Sequence, residues 1–197
     1  MNAFLLGALA GLAVAMPLGP VGVLLMRSGL VDGVRVAVAA ACGIATVDLL
    51  YGVAAVAVGA PVSRLVEAHE RPIRILCAAV LVAVGIVGLL RRPRPDETRE
   101  APSTQGTYLR FVGLTAVNPL TAITFTTVAI GMAAGLGSSI ASAAAFVAGV
   151  GMASLAWQLV LATTGGLLGL RLPQGARRWV SIAGSVVVVL VGVAVIV

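Results

Sequence analysis

The stretch MPLGP, residues 16–20, interrupts an apolar run that is otherwise long enough to cross a membrane. Proline has no backbone N–H, and its ring clashes with the carbonyl group four residues earlier, so Pro17 and Pro20 are predicted to break the helix. The break frees the carbonyl groups of Ala13 and Met16. In a bilayer such groups are tolerated only against protein or a water-filled cavity. The stretch therefore predicts a broken membrane helix of the kind that forms substrate sites in secondary transporters.

A second interruption follows about half a chain later, in the stretch NPL at residues 118–120. Pro119 is predicted to free the carbonyl group of Thr115 in the same way. Two membrane helices are therefore expected to be broken, the first and the fourth.

The composition identifies the solvent of the chain. Of 197 residues, 60% are hydrophobic and 10% are charged, and the charged residues cluster between long apolar runs. This pattern predicts an all-α integral membrane protein. All thirteen basic residues are Arg, and they lie at the ends of apolar runs. The formal charge of +6 is therefore attributed to membrane orientation and not to nucleic acid, which is not expected as a partner.

Six apolar runs meet the length of about 20 residues that a helix needs to span a bilayer. They cover residues 3–26, 34–60, 72–90, 109–134, 138–164 and 179–197. The fifth is expected to continue toward Leu170. Residues 91–108 have no apolar face, so we expect a flexible cytoplasmic linker between two three-helix units, 1–90 and 109–197.

The distribution of arginine predicts the orientation. Ten arginines flank the loops after the first, third and fifth spans, and three lie in the loop after the second. Under the positive-inside rule, the odd-numbered loops are cytoplasmic and both termini lie outside.

The two halves share a weak internal repeat. At a shift of 102 residues, Pro17 falls on Pro119, and at a shift of 106, Gly43 falls on Gly149 and Tyr51 on Trp157. Because each half has three spans, the second half would enter the membrane from the opposite side. Two inverted repeats are therefore predicted. A chance alignment of glycines in such an apolar sequence is the competing interpretation.

Three motifs make the chain similar to one known family. They are the Pro-x-Gly-Pro element at residues 17–20, the run Gly43, Asp48 and Tyr51 in the second span, and Asn118-Pro119 in the fourth. In span number, linker position and motif order, the chain resembles the lysine exporter (LysE) family of amino-acid exporters, which includes the homoserine and threonine resistance branch.

The resemblance implies a secondary active exporter in the bacterial cytoplasmic membrane, not an enzyme. Its substrates would be amino acids or related small polar metabolites, and export would be driven by protons or the membrane potential. The chain departs from the homoserine and threonine branch at Leu18, which is inserted into a Pro-Gly-Pro element, and at Leu120, where that branch often has Lys. The absent cation leaves the choice of substrate open.

Asp48 is the only carboxylate deep inside a predicted span. A charge at that depth costs several kcal/mol, on the order of 2.5–3.5 on insertion scales, unless it is paired or solvated, so such residues are functional candidates. Asp48 is predicted to carry the coupling proton or to accept the substrate ammonium. The alternative is a structural carboxylate bonded to helix backbone or to Tyr51, three residues on.

Polar residues recur at three-residue spacing along the fourth span. They are Thr115, Asn118, Thr121, Thr124 and Thr127. Such a stripe can line a hydrophilic path, and the amide of Asn118 offers both donors and an acceptor to a zwitterion. For a single threonine, a bond to its own helix is the simpler interpretation.

The helix segment after each break exposes backbone N–H groups at its start. Those of residues 21–24, and those from Leu120 onward, are expected to form a partial positive pole for a substrate carboxylate. Gly19 would allow close backbone approach. Proposed substrate contacts therefore include Pro17, Gly19, Pro20, Asp48, Tyr51, Asn118, Pro119, Thr121 and Trp157. In the repeat, Ser154 falls opposite Asp48, and Trp157 and Gln158 lie near the level of Tyr51, where core packing is an equal alternative for the aromatic residue.

Two other functions compete with amino-acid export. A divalent metal exporter needs several ligands at one depth, and Asp48 stands alone. Membrane thiol oxidoreductases of related scaffold, which this chain also resembles, place one cysteine in each broken helix, whereas Cys42 and Cys77 lie in the second and third spans. No cofactor or metal is predicted. Glycine pairs spaced by four would allow close helix packing within or between subunits, so a homo-oligomer is possible.

Overall fold

The computed structural model describes residues 2–16, 19–68, 70–90, 102–118, 121, 124–125 and 139–194. Within these ranges the chain is helical and contains no strand, which confirms the predicted all-α class. The helices are α1 (Ala3–Ala15), α2 (Pro20–Asp32), α3 (Val34–Ala68), α4 (Glu70–Leu90), α5 (Thr104–Ala116), α6 (Ile140–Arg171) and α7 (Gln174–Ala194). The fifth predicted span does continue past Leu170.

The first predicted span is divided into α1 and α2, whose axes differ by 79°. Pro20 is the first residue of α2, where its missing N–H breaks no helical bond, and Gly19 caps the helix in an extended conformation. Pro17 lies outside the described residues. The second segment runs to Asp32, six residues beyond the predicted end at 26, so the interruption lies near the middle of the element.

Helix α5 begins at Thr104, five residues before the predicted start of the fourth span at 109. The side chain of Ser103 accepts a hydrogen bond from the N–H of Gly106 at 3.0 Å and caps this end. Residues 104–108, assigned to the linker from their polarity, are therefore helical. Residues 91–101 of the predicted linker lie outside the described residues, as does the predicted break at Pro119.

Helix α6 lies at the centre and packs against α1, α2 and α3. Glycines allow the closest approaches. A Cβ atom at Gly11 of α1 would lie 2.6 Å from the carbonyl oxygen of Val150, and one at Gly29 of α2 would lie 2.7 Å from that of Ala162. Because real Cβ atoms do not approach so closely, both segments of the broken span pack on α6 through glycine.

Two further contacts join the predicted three-helix units. Helix α5 packs on α3, and α4 packs on α7. Large apolar side chains face outward on most helices, among them Leu9, Leu50, Val160 and Leu190. In water such a surface would be unfavourable, and in a bilayer it is the surface that contacts lipid.

Two described helical stretches, Val34–Ala57 and Ile140–Arg171, are long and apolar enough to cross a membrane. The bent pair α1 and α2 makes a third if it counts as one span. The described part of the chain therefore supports several membrane crossings, and the number six stays a prediction.

Candidate functional site

Buried polar side chains from three helices gather where the first span is broken. They are Asp48 on α3, Thr115 on α5, Asn118 and Thr121 beyond α5, and Ser154 and Gln158 on α6. All six are at most 7% exposed. Burying polar groups is unfavourable unless they have hydrogen-bond partners, so such a cluster inside an apolar bundle is a candidate functional site.

A cavity of about 40 Å³ opens among these residues. It is large enough for a few water molecules, since one water needs roughly 10–15 Å³ on this measure. The described residues that line it are Val14, Ala15, Gly19, Val21, Gly22, Ile44, Asp48, Thr115, Asn118, Thr121 and Gln158. The lining thus joins both sides of the break between α1 and α2 to α3, α6 and the end of α5.

Asp48 is 2% exposed, and it is the only ionisable side chain among the described residues that line the cavity. The hydroxyl of Ser154 donates a hydrogen bond of 2.5 Å to its Oδ2 atom. Ser154 is fully buried and lies one helical turn before Gln158 on α6, so both side chains lie on one face of that helix. The serine therefore fixes the carboxylate of Asp48 at the cavity wall.

The N-terminus of α2 also borders the cavity, through Gly19, Val21 and Gly22. Helix geometry leaves the N–H groups of Val21 and Gly22 without an acceptor inside α2, whereas Val23 N–H bonds to the carbonyl of Gly19 at 3.1 Å. The prediction that the N–H groups of residues 21–24 are free is therefore wrong for Val23, whose N–H makes the first hydrogen bond of the helix. Two donors and the partial positive charge of the helix end remain at the cavity.

Two oxygen atoms on the lining have no hydrogen-bond partner. They are Oγ1 of Thr115 and Oε1 of Gln158. The carbonyl group of Thr115, which Pro119 was predicted to free, accepts the N–H of Asn118 at 3.1 Å. The chain tightens to an i to i+3 bond at this end of α5, so the hydroxyl group and not the carbonyl is the unpaired group of Thr115.

Four of the predicted substrate contacts line the cavity: Gly19, Asp48, Asn118 and Thr121. Pro20 is fully buried beside it as the first residue of α2. Pro17 and Pro119 lie outside the described residues. The structure thus brings Gly19 at the break together with the carboxylate of Asp48 and with three residues of the polar stripe, Thr115, Asn118 and Thr121. Thr124 is not among the lining residues, and Thr127 lies outside the described residues.

The two predicted aromatic contacts are not among the lining residues. The hydroxyl of Tyr51 donates to the carbonyl of Ala116 at 2.9 Å, and its ring stacks on Phe125 with centroids 5.5 Å apart. Trp157 packs against the apolar cluster around Leu25 and Phe111, with its indole N–H unpaired. Both aromatic residues hold helices together at the edge of the site.

Gln158 and Thr115 line the cavity but were not among the predicted substrate contacts. Gln158 follows Ser154 by four residues, and Ser154 was already placed opposite Asp48, so helical spacing was the signal that indicated it. Thr115 opens the polar stripe of the fourth span. Either residue could have been selected by requiring a common face with Asp48 or Asn118.

The arrangement offers both hydrogen-bond acceptors and donors within one cavity. Acceptors are the Asp48 carboxylate and the oxygen of Gln158, while the N–H groups of Val21 and Gly22 are donors. The described residues hold no group of three or more His, Cys, Asp or Glu side chains that could bind a metal ion. Cys42 is a free, half-buried thiol, and the side chain of Cys77 is not among those that the structure describes.

Comparison with known families gives one finding. A family model described as LysE type translocator matches residues 12–197. No curated protein and no solved structure matches the chain. The matched range includes the break between α1 and α2, the cavity residues and every helix from α2 onward.

Proposed function

The chain belongs to the LysE type translocators, and we propose that it is a secondary active exporter whose substrate binds beside Asp48. Proteins of this family are membrane exporters of amino acids or related compounds and are not enzymes. The substrate is a small polar metabolite with an amino group. The observation that carries the proposal is a buried carboxylate on a polar cavity, at the point where a membrane helix is broken.

The cavity offers a partner to each pole of an amino acid. The N–H groups of Val21 and Gly22 at the start of α2 bind the substrate carboxylate, because a helix N-terminus favours negative charge. Asp48 binds the ammonium group. Asn118 and Thr121 border the same space and supply neutral hydrogen bonds to the rest of the molecule. The cavity of about 40 Å³ is too small for a whole amino acid, so entry of the complete substrate requires the surrounding helices to separate.

Proton coupling uses the same carboxylate. One Asp48 can hold either a proton or an ammonium group, because both compete for its negative charge. On the cytoplasmic side the ionised carboxylate binds the substrate. On the outside a proton binds the carboxylate and displaces the substrate, and the proton is then carried inward and released into the cytoplasm. This exchange exports one substrate for each proton that enters, and among the described lining residues Asp48 is the only ionisable side chain that it needs.

We further propose that the halves are inverted repeats, and helix positions support this. Helices α3 and α6 begin 106 residues apart, at 34 and 140, and α4 and α7 begin at 70 and 174. Their contacts correspond as well, because α1 packs on α6 as α5 packs on α3. Each half thus places its first helix on the second helix of the other, as alternating access between two repeats requires.

We also propose that this multi-pass protein lies in the bacterial cytoplasmic membrane. The arginine count supports an orientation with the odd-numbered loops inside. Single cysteines at Asn2 and Gly175, in a protein with Cys42 and Cys77 replaced by Ala, test this orientation. An impermeant thiol reagent added to intact cells should label the cysteine at position 2 and not the one at 175. The reverse pattern would overturn the orientation and leave the substrate site unaffected.

The function is tested by comparing metabolites outside cells that express or lack the protein, followed by transport with purified protein in vesicles. Asp48→Asn keeps the shape of the carboxylate without its charge, and Asn118→Ala removes one polar contact. We expect Asp48→Asn to abolish export driven by a proton gradient and Asn118→Ala to weaken it. Normal export by both variants, inserted at wild-type levels, would refute the site.

A further inference from the structure

Two buried side-chain oxygen atoms, Oγ1 of Thr115 and Oε1 of Gln158, lack a hydrogen-bond partner. Thr115 is 2% exposed and Gln158 is 5% exposed, yet neither oxygen has a hydrogen-bond partner. About 90% or more of buried polar groups in proteins are paired, and each exception requires an explanation. Both residues line the cavity that Asp48 lines. Three oxygen-bearing side chains, on α3, α5 and α6, therefore share one small space.

We propose that Asp48, Thr115 and Gln158 form a cradle for one primary ammonium group, so that the exporter selects substrates with an unmethylated amine. An ammonium group has three N–H donors and no acceptor, and the three side chains provide one oxygen acceptor each. The inference rests on the proposed function and names the chemical group that its site recognises.

The volume and charge of the cavity support this assignment. A space of about 40 Å³ accommodates a compact group such as an ammonium, and a bulky trimethylammonium group with no N–H would leave all three oxygens unpaired. A carboxylate would meet the negative charge of Asp48 at that wall. Ser154, which donates to Oδ2 of Asp48, is not a further ligand but holds the carboxylate in position.

A structural role and a binding role predict opposite effects on stability. Replacing an unpaired buried polar group by an apolar group of similar shape removes a penalty, so a residue kept for folding alone should not leave its oxygen unpaired. We expect Gln158→Leu and Thr115→Val to keep or raise the Tm of the protein and still to impair its binding of amines. Loss of folding in both would contradict the cradle.

The direct test measures Tm of the purified protein with methylammonium chloride, and with tetramethylammonium chloride at the same ionic strength. Ligands that bind only the folded state raise Tm with concentration. Methylammonium should raise the Tm of the wild-type protein, and tetramethylammonium should not. The rise should be lost, or shifted to about tenfold higher concentration, in Gln158→Leu and Thr115→Val, as removal of a hydrogen bond to a charged group predicts.

Matched controls exist on the same helices. The hydroxyl of Thr163 on α6 bonds to the carbonyls of Leu159 and Val160 and is exposed, and Gln105 in the first turn of α5 is also exposed. Thr163→Val and Gln105→Leu should keep the full response to methylammonium. Equal responses to both salts, or an unchanged response in the cradle variants, would refute the cradle.

Transport separates this failure from failure of the exporter itself. Vesicles containing the protein are loaded with an equimolar mixture of the common amino acids or with their N-trimethylated forms, and release is followed by mass spectrometry. Release of the amino acids alone supports the cradle, and equal release of both sets refutes it while the exporter stands. A methylammonium response without any release would refute the proposed export and leave the cradle intact.

Discussion

Ser154 donates a hydrogen bond of 2.5 Å to Asp48, and the two residues are 106 positions apart in the chain. Helices α3 and α6 begin at the same separation, at 34 and 140. The serine and the aspartate therefore lie at the same position counted from the start of their helices, and they contact one another. Under the proposed inverted repeat, two equivalent positions that touch lie near the axis relating the halves, which is where substrate sites of repeat transporters lie.

Removing the donor tests this relationship. We expect Ser154→Ala to destabilise the protein by about 1.5–3 kcal/mol if Asp48 stays charged, because a buried carboxylate loses a hydrogen bond. Transport should fall, but less than in Asp48→Asn, since the carboxylate itself remains. Thermal unfolding and vesicle transport measure the two effects. Ser154→Thr, which keeps a hydroxyl, is the control, and a Ser154→Ala protein with unchanged stability and transport would contradict the role of the serine.

The hydroxyl of Tyr51 joins the two halves through a backbone acceptor, the carbonyl of Ala116 at the end of α5. We expect Tyr51→Phe to lower stability by about 0.5–1.5 kcal/mol, because the hydrogen bond is lost while the ring still stacks on Phe125. Thermal unfolding measures the stability. Hydrogen exchange should show faster exchange of the backbone amides at the end of α5 in Tyr51→Phe than in the wild-type protein.

Tyr108→Phe provides the comparison, since the hydroxyl of Tyr108 bonds to Thr46 at 3.2 Å, near the start of α5. It should leave exchange at the end of α5 unchanged. Identical exchange in both variants would show that the bond to Ala116 does not hold this end of the helix.

Sequence alone identified the features that have a local chemical cause. Prolines mark the break before α2 because they cannot continue a helix, and Asp48 is recognisable because a carboxylate in an apolar run is rare. The role of Tyr51 could not be predicted, since its partner is a backbone carbonyl that no side chain identifies. The direction in which Gln158 faces depends on how α6 is rotated against α1 and α3, which hydrophobic spacing on such a uniformly apolar helix does not determine.

The start of α5 provides a further prediction. Ser103→Ala removes the side chain that accepts the N–H of Gly106, and loss of such a cap costs about 0.5–2 kcal/mol. We expect lower thermal stability with transport kinetics unchanged, because Ser103 is exposed and does not line the cavity. Ser103→Asp, which restores a capping oxygen, should recover the stability. A stable Ser103→Ala protein would indicate that packing on α3 alone determines where the helix begins.

The proposed repeat predicts that two distant glycines have matching roles. A Cβ atom at Gly43 of α3 would lie 2.7 Å from the carbonyl oxygen of Tyr108 on α5, and one at Gly149 of α6 would collide with the backbone of Phe4 on α1. Both approaches are too close for a methyl group, so Gly43→Ala and Gly149→Ala should each separate a first helix from its partner and cost about 1–3 kcal/mol.

Gly113→Ala serves as the matched control, because a Cβ atom there has no neighbour within 4 Å and alanine favours a helix by about 1 kcal/mol. That variant should be as stable as the wild-type protein or more so. Thermal unfolding of the three variants in detergent makes the comparison. If one glycine tolerates alanine while the other does not, the two helix contacts differ in kind, and the halves do not pack as equivalent repeats.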